Sequence, residues 1–208
     1  MRLGCDIGGT FTDFVLLDDE TGEIKVYKCL TTPGDPSDAV EEGVRALSKR
    51  APDLPQKMKE VIHGTTLVIN AIIERKGART GLITTEGFRD VLELGRETRY
   101  APYDVFAEFP KPLVPRPLRM EVSERLRADG SVLKALDVKQ AGDVVRALKN
   151  ADVKSIAICL LNSFENPAHE LAVKQIITKE FPEVSISTSY EVLPQIREYE
   201  RTSTTVAN

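Results

Sequence analysis

One stretch limits what this chain can fold into more than any other: Asp6-Ile7-Gly8-Gly9-Thr10-Phe11-Thr12-Asp13, set between apolar runs at residues 2–6 and 14–17. The Walker loop GxxxxGK[ST] and the dinucleotide fingerprint GxGxxG both enter a helix. Here the glycines turn one strand into the next. A turn of Gly8, Gly9 and Thr10 can aim successive backbone N–H groups at one point, which suits an anion and needs no basic side chain. The hydroxyls of Thr10 and Thr12 add donors. Asp6, at the end of its strand, is placed to hold Mg²⁺ through retained waters, because that ion gives up hydration reluctantly. Asp13 offers a second carboxylate. The same residues also make a plain glycine hairpin whose Asp and Thr side chains satisfy the turn backbone.

The charge balance narrows the choice of partner. Against 28 Lys+Arg stand 32 Asp+Glu, a net −4, whereas a chain that tracks nucleic-acid phosphates needs a basic excess or stripe. The richest basic stretch, residues 111–127, is interleaved with Glu121 and Glu124 and reads as a solvated mixed face. No apolar run approaches the roughly 18 residues that cross a bilayer, and the first residues lack the apolar core of a signal peptide. These features predict a cytoplasmic protein that binds neither nucleic acid nor membrane. Cys5, Cys29 and Cys159 each lie in an apolar run without CxxC spacing, which predicts buried, reduced thiols.

Apolar runs at 2–6, 14–17 and 24–29 predict an antiparallel meander of three strands. Ser37 is the expected cap of a helix that runs to Arg50 with Val40, Val44 and Leu47 on one face. A strand ending at Ile62, a helix from Leu67 to Arg75 closed by Gly77, and a strand over 80–84 follow, giving the order βββαβαβ. Pro102, Pro110, Pro112, Pro115 and Pro117, mixed with Tyr100, Tyr103, Phe106 and Phe109, forbid helix and central strand. Residues 100–118 are therefore expected to be an extended connection that buries its aromatics and separates a domain at 1–99 from one at 119–208. Beyond it, Asp129-Gly130 predicts a hairpin between 121–127 and 131–133. Asp137 caps a helix, 155–161 is a buried strand, Asn166-Pro167 opens a helix that Pro182 ends, and 184–187 is a further strand. All thirteen glycines lie at or before Gly142, so the first part is turn-rich and the last part regular. Strands alternating with helices make the chain α/β.

His63-Gly64-Thr65-Thr66 is the second candidate, at a strand-to-helix junction where ligands gather. Thr65 or Thr66 equally serves as an ordinary N-cap, and His63 equally reads as a structural histidine. Asn70, one turn beyond Thr66, can share its face. Glu74, Arg75 and Lys76 read as solvated; Arg89, Arg96 and Arg99 read as surface ion-pair formers. His169 reads as architectural, and Glu198, Glu200 and Arg201 have no neighbouring motif to act with.

DIGGTFTD from Asp6 in this order of elements resembles the first phosphate motif of the actin, Hsp70 and sugar-kinase superfamily. HGTT from His63, NAIIERKGART from Asn70, TEGFRDVLELGRETR from Thr85, NPAHE from Asn166 and VLPQIREYERTSTT from Val192 resemble more closely the N-terminal domain of the hydantoinase A and 5-oxoprolinase family, also found in acetone carboxylase-type enzymes. The resemblance implies an actin-like (ribonuclease H-like) ATPase lobe with an additional α/β subdomain. It implies ATP and Mg²⁺ as cofactors, phosphorylation of a carbonyl oxygen of a small cyclic amide or imide, and ring opening by water with a B-type subunit or domain. Asp6 would organise Mg²⁺ and take part in catalysis; Gly8, Gly9, Thr10, Thr12, Asp13 and Thr66 would hold the nucleotide; His63 and Thr65 would position the acceptor. At Ile69 the family pattern would place a more polar residue. No second Asp-x-Gly-Gly-Thr follows, so the chain is expected to hold half an active site, to lack a C-terminal ATPase lobe, to look cut after Asn208, and to hydrolyse ATP weakly by itself. A small-molecule kinase of the same superfamily and a non-catalytic actin-like interaction module are the alternatives.

Overall fold

A period of two builds the first sheet of the computed structural model, which describes residues 1–32, 34–98 and 101–208. Arg99 and Tyr100, named above, lie outside them. β1 (Arg2–Ile7) and β2 (Phe11–Leu17) bury alternate side chains, Leu3, Cys5 and Ile7 from one, Phe14 and Leu16 from the other. β3 (Ile24–Leu30) pairs antiparallel with β2, and β4 (Glu60–Thr65) pairs parallel with β1, giving the order β3-β2-β1-β4. α1 (Pro36–Arg50) covers the apolar face with Ala39, Gly43 and Leu47. Its cap is Asp35, not Ser37: Asp35 Oδ1 accepts from Ser37 N at 2.9 Å and from Ser37 Oγ at 2.6 Å, and Pro36 suits the first helical position, where no N–H is required. α2 (Leu54–Lys57) adds the buried Leu54. α3 (Leu67–Glu74) ends on Arg75 in the left-handed region, φ 55°, so the expected closure by Gly77 is made two residues earlier.

Two compact units divide between Lys76 and Gly77, ahead of the proline-rich stretch where the boundary was expected. The reason is β5 (Thr80–Thr85), which pairs with β6 (Arg119–Val122) and β9 (Ser155–Cys159) and shares their core through Leu82 and Ile83. With β10 (Ser185–Thr188) these strands form an all-parallel sheet, β10-β9-β5-β6. β6 is thereby withdrawn from the expected hairpin, and only β7 (Arg125–Leu126) pairs with β8 (Val132–Lys134) across Asp129-Gly130. The helices of this unit are α4 (Val91–Leu94), α5 (Val138–Asn150), α6 (Ala168–Glu180), α7 (Ser189–Val192) and α8 (Glu198–Ala207). A Cβ on Gly81 would lie 2.8 Å from Leu148 of α5, and Gly81 pairs with Ile156, so that face of the sheet meets α5. The alternate residue Cys159 meets Arg201 and Thr202 of α8. Helices on both faces explain the unbroken apolar run of β9.

Two expectations fail in this unit. Tyr103 and Phe106 in the proline-rich stretch are 99% and 89% exposed, and Val114 and Leu118 are buried in their place. Arg119 and Glu124, read as a solvated face, are both buried. Among the described residues no helix is long and apolar enough to cross a membrane.

Candidate functional site

The loop after β1 keeps two donors uncommitted. Gly8 N–H donates to Phe11 O at 2.9 Å and closes the turn. The N–H groups of Gly9 and Thr10 have no acceptor among the described residues, and both residues are exposed. Two N–H groups without partners in a glycine turn are the means by which a backbone binds an anion. Thr12 does not contribute: it is fully buried, and its Oγ1 lies 3.0 Å from Thr31 Oγ1, which donates to Gly8 O at 2.9 Å. Its hydroxyl braces the loop from the core side.

Asp6 and Asp13 are direct cross-strand partners and share a face of the sheet with Lys28, the partner of Asp13. Like charges placed opposite each other are destabilising. Lys28 Nζ, 2.8 Å from Asp13 Oδ1, offsets one of them. Asp6 has no ion pair among the described residues. A cation beside Asp6 would complete this arrangement, and Mg²⁺ accepts one or two carboxylates provided that water and phosphate oxygens fill its other positions. No group of three metal-ligating side chains converges among the described residues, so the donor set fits an ion that arrives with a phosphate and does not fit a resident one.

His63 is separated from this group by the register of β4. Gly64 pairs with Asp6, and a Cβ on Gly64 would lie 3.8 Å from Asp6 Oδ1, whereas His63 pairs with Cys5. Successive strand residues point to opposite faces, so His63 projects from the face opposite Asp6, and the two cannot act on one atom. Thr65, which pairs with Ile7, is spent locally: its Oγ1 accepts from Leu67 N at 3.2 Å and donates to Ile7 O at 3.4 Å. Thr66 N donates to Ile7 O at 3.1 Å, which holds the start of α3 at the end of β1. The structure thus gathers Asp6, Asp13, Gly8, Gly9, Thr10 and Thr66, and leaves His63, Thr65 and Thr12 in other roles.

The second unit offers a different place for a ligand and then fills it. In its sheet β5 continues to β6 on one side and β9 to β10 on the other, and open parallel sheets bind ligands at such a reversal. There Thr85 Oγ1 bonds Glu124, accepts from Leu161 N at 2.9 Å, and Glu124 Oε2 meets His169 Nδ1 at 2.7 Å. Glu170 accepts from Leu160 N, Ser189 Oγ and Tyr190 N at 2.8, 2.6 and 3.1 Å. Burial pushes its carboxyl above the ordinary range, against these three donors. His169 is architectural, as read. Glu200 and Arg201 do find partners: Glu200 pairs with Arg96 at 2.6 Å, and buried Arg201 donates to Leu160 O at 2.7 Å beside Cys159. Burial raises the Cys159 thiol and Arg201 opposes it. All three cysteines are free and buried. No local pattern in the sequence marks these pairs, because every partner is distant along the chain.

Comparison with known proteins places the chain in a family. The family model described as the hydantoinase/oxoprolinase N-terminal region matches residues 2–181. The caprolactamase alpha subunit of Pseudomonas jessenii is 37% identical over all of this chain and 30% of its own length. The acetophenone carboxylase gamma subunit of Aromatoleum aromaticum is 38% identical over 97% of this chain and 30% of its own. The solved nucleotide-free structure of acetone carboxylase, described under the mechanism of ATP-dependent acetone carboxylation, superposes with a TM-score of 0.89 at 30% identity, covering 100% of this chain and 31% of that one. The chain therefore spans about 30% of the length of the relatives that it matches.

Proposed function

Because the chain belongs to the hydantoinase/oxoprolinase N-terminal family, we propose that it supplies the phosphate-binding half of an ATP-dependent enzyme acting on a small cyclic amide or imide. The observation that carries this reading is that, among the described residues, the N–H groups of Gly9 and Thr10 have no acceptor and the carboxylate of Asp6, at the start of the same loop, has no ion pair. When bound, ATP with Mg²⁺ would supply the phosphoryl group for the carbonyl oxygen of the substrate and leave as ADP, after which addition of water breaks the ring C–N bond and releases inorganic phosphate. Gly9 and Thr10 hold phosphate oxygens through preorganised N–H groups, which stabilise charge on the transferring group without any reorganisation. Asp6 would hold the ion through its water shell. Asp13, neutralised by Lys28, keeps the strand ends from repelling each other. His63 is given no part at this centre. A second ATPase lobe and a B-type subunit or domain would complete the centre. Relatives named for lactam hydrolysis and for ketone carboxylation share a carbonyl substrate, which favours carbonyl phosphorylation over transfer to a hydroxyl.

The test follows the oxygen. In the complete enzyme that carries this chain, an ¹⁸O label in the lactam carbonyl should be divided between the ring-opened carboxylate and inorganic phosphate, and Asp6→Asn should slow its appearance in phosphate at least tenfold. A stable phosphorylated product that retains the label would identify a kinase instead.

A further inference from the structure

Asn70 lies against the loop at the point where the loop lacks a side chain. A Cβ on Gly9 would meet Asn70 Nδ2 at 2.9 Å and Cγ at 3.7 Å, so the carboxamide occupies the space that glycine leaves. The same nitrogen lies 3.4 Å from Thr66 Oγ1, and the Thr66 hydroxyl donates to Ile7 O over 3.5 Å. Both contacts are long. Thr66 Oγ1 accepts from Asn70 Nδ2, and that contact sets the carboxamide with its NH₂ group toward the loop. One of the two N–H bonds is directed to Thr66. The other has no acceptor among the described residues, in a side chain that is only half-buried. Around one glycine, three N–H donors from Gly9, Thr10 and Asn70 have no acceptor among the described residues, and the ligand that complements three donors is an oxyanion.

We infer that Asn70 is a further binding residue of this loop, donating its second carboxamide N–H to the phosphoryl oxygens that Gly9 and Thr10 hold, and that position 9 is glycine because Asn70 fills its side-chain space. The inference rests on the phosphate-binding reading above and adds a residue and a chemistry to it. A neutral donor binds the oxyanion without drawing the Asp6 carboxylate into an ion pair, so Asp6 stays available to the metal. One charge-assisted hydrogen bond corresponds to about a tenfold change in affinity.

The probe is inorganic pyrophosphate titrated into the ¹⁵N-labelled 208-residue chain. In the wild type the Gly9 and Thr10 amide signals and the Asn70 carboxamide NH₂ pair should shift with one common midpoint. Asn70→Ala should weaken binding about tenfold, Asn70→Asp should weaken it further by placing a negative charge at the anion, and Asn70→Ser should recover part of the loss. Gly9→Ala, which drives the carboxamide off the loop, should lose the same factor as Asn70→Ala, and the double variant should bind no more weakly than either. Saturable shifts at Gly9 and Thr10 with the Asn70 carboxamide unmoved, or losses that add in the double variant, overturn the inference and leave the phosphate loop standing. No saturable shift at Gly9 or Thr10 in the wild type overturns the phosphate loop and the inference with it.

Discussion

At Gly43 the core has no room for a methyl group. A Cβ there would lie 2.1 Å from Phe14 Cζ and 2.2 Å from Cε2, far closer than van der Waals contact allows, and Phe14 is itself fully buried. Helix propensity alone favours Gly43→Ala by about 1 kcal/mol, while forcing α1 away from the ring costs about 2 kcal/mol or more. Packing should win, and urea denaturation should show the first unit destabilised; a variant at least as stable as the wild type would mean that the helix shifts freely. Glu170 gives a residue-scale prediction of a different kind. Its buried carboxyl titrates above the unfolded value of 4.5, so between that value and the higher folded one the native state holds the proton that the unfolded state has lost. The contribution is complete below pH 4.5, falls as pH rises, and is gone above the folded pKa, with a slope of at most about 1.4 kcal/mol per pH unit. Glu191 runs the other way: Thr188, Lys174 and the Tyr190 hydroxyl bond its carboxylate and lower it to about 2, so its contribution is full above pH 4.5 and is lost as pH falls from there through about 2. In Glu170→Gln the falling limb above pH 4.5 should disappear from the pH dependence of unfolding. An unchanged limb would assign it to another group.

Between elements, what decided legibility was the distance along the chain to the deciding partner. The three-strand meander and the helix capped by Asp137 rest on neighbours, and both are found as read; the cap is a bond from Gln140 N to Asp137 Oδ1 at 2.9 Å. The cap of the first helix lies two residues before the one that the sequence suggests, because Asp35 and Ser37 are both good caps and only the geometry shows Asp35 accepting from Ser37. Asp35→Ala should therefore cost about 1 kcal/mol of stability, and Ser37→Ala clearly less; thermal unfolding of the two variants in the reverse order would restore Ser37 as the cap. Nonlocal pairing produced the larger errors. β4 was expected to stop at Ile62, yet pairing with β1 carries it through His-Gly-Thr to Thr65. That same register, invisible in a polar tetrapeptide, turns His63 away from Asp6. The glycine turn is legible because a turn is local, whereas the sequence alone offers Thr12 to a ligand and Thr31, far along the chain, holds it in the core. Glu124 and Arg119 were read as solvated for the same reason: charge pattern alone does not reveal a buried partner.

For the molecule as a whole, the two units have separate sheets and separate cores, one built on Leu3, Phe14, Leu16 and Leu47, the other on Ile83, Val145, Ile156 and Ile158. Each core belongs to a single compact stretch of chain, so the units should unfold as distinct cooperative steps. Every residue proposed for phosphate binding, Asn70 included, lies in the first unit. A ligand that binds only the native form stabilises by RT ln(1 + [L]/Kd), about 2.7 kcal/mol at a hundredfold excess over Kd. Pyrophosphate should therefore shift the transition reported by the Tyr27 side of the first core and leave that of the second unit unmoved. Gly43→Ala should lower the first transition alone, and Glu170→Gln should alter only the second. Hydrogen exchange resolved by residue reads both units in one experiment: protection of Leu3 and Leu16 should rise with pyrophosphate while that of Ile156 and Ile158 stays constant. A common rise in both sets would show that the units unfold as one, and the anion effect could then no longer be assigned to the glycine loop from stability measurements.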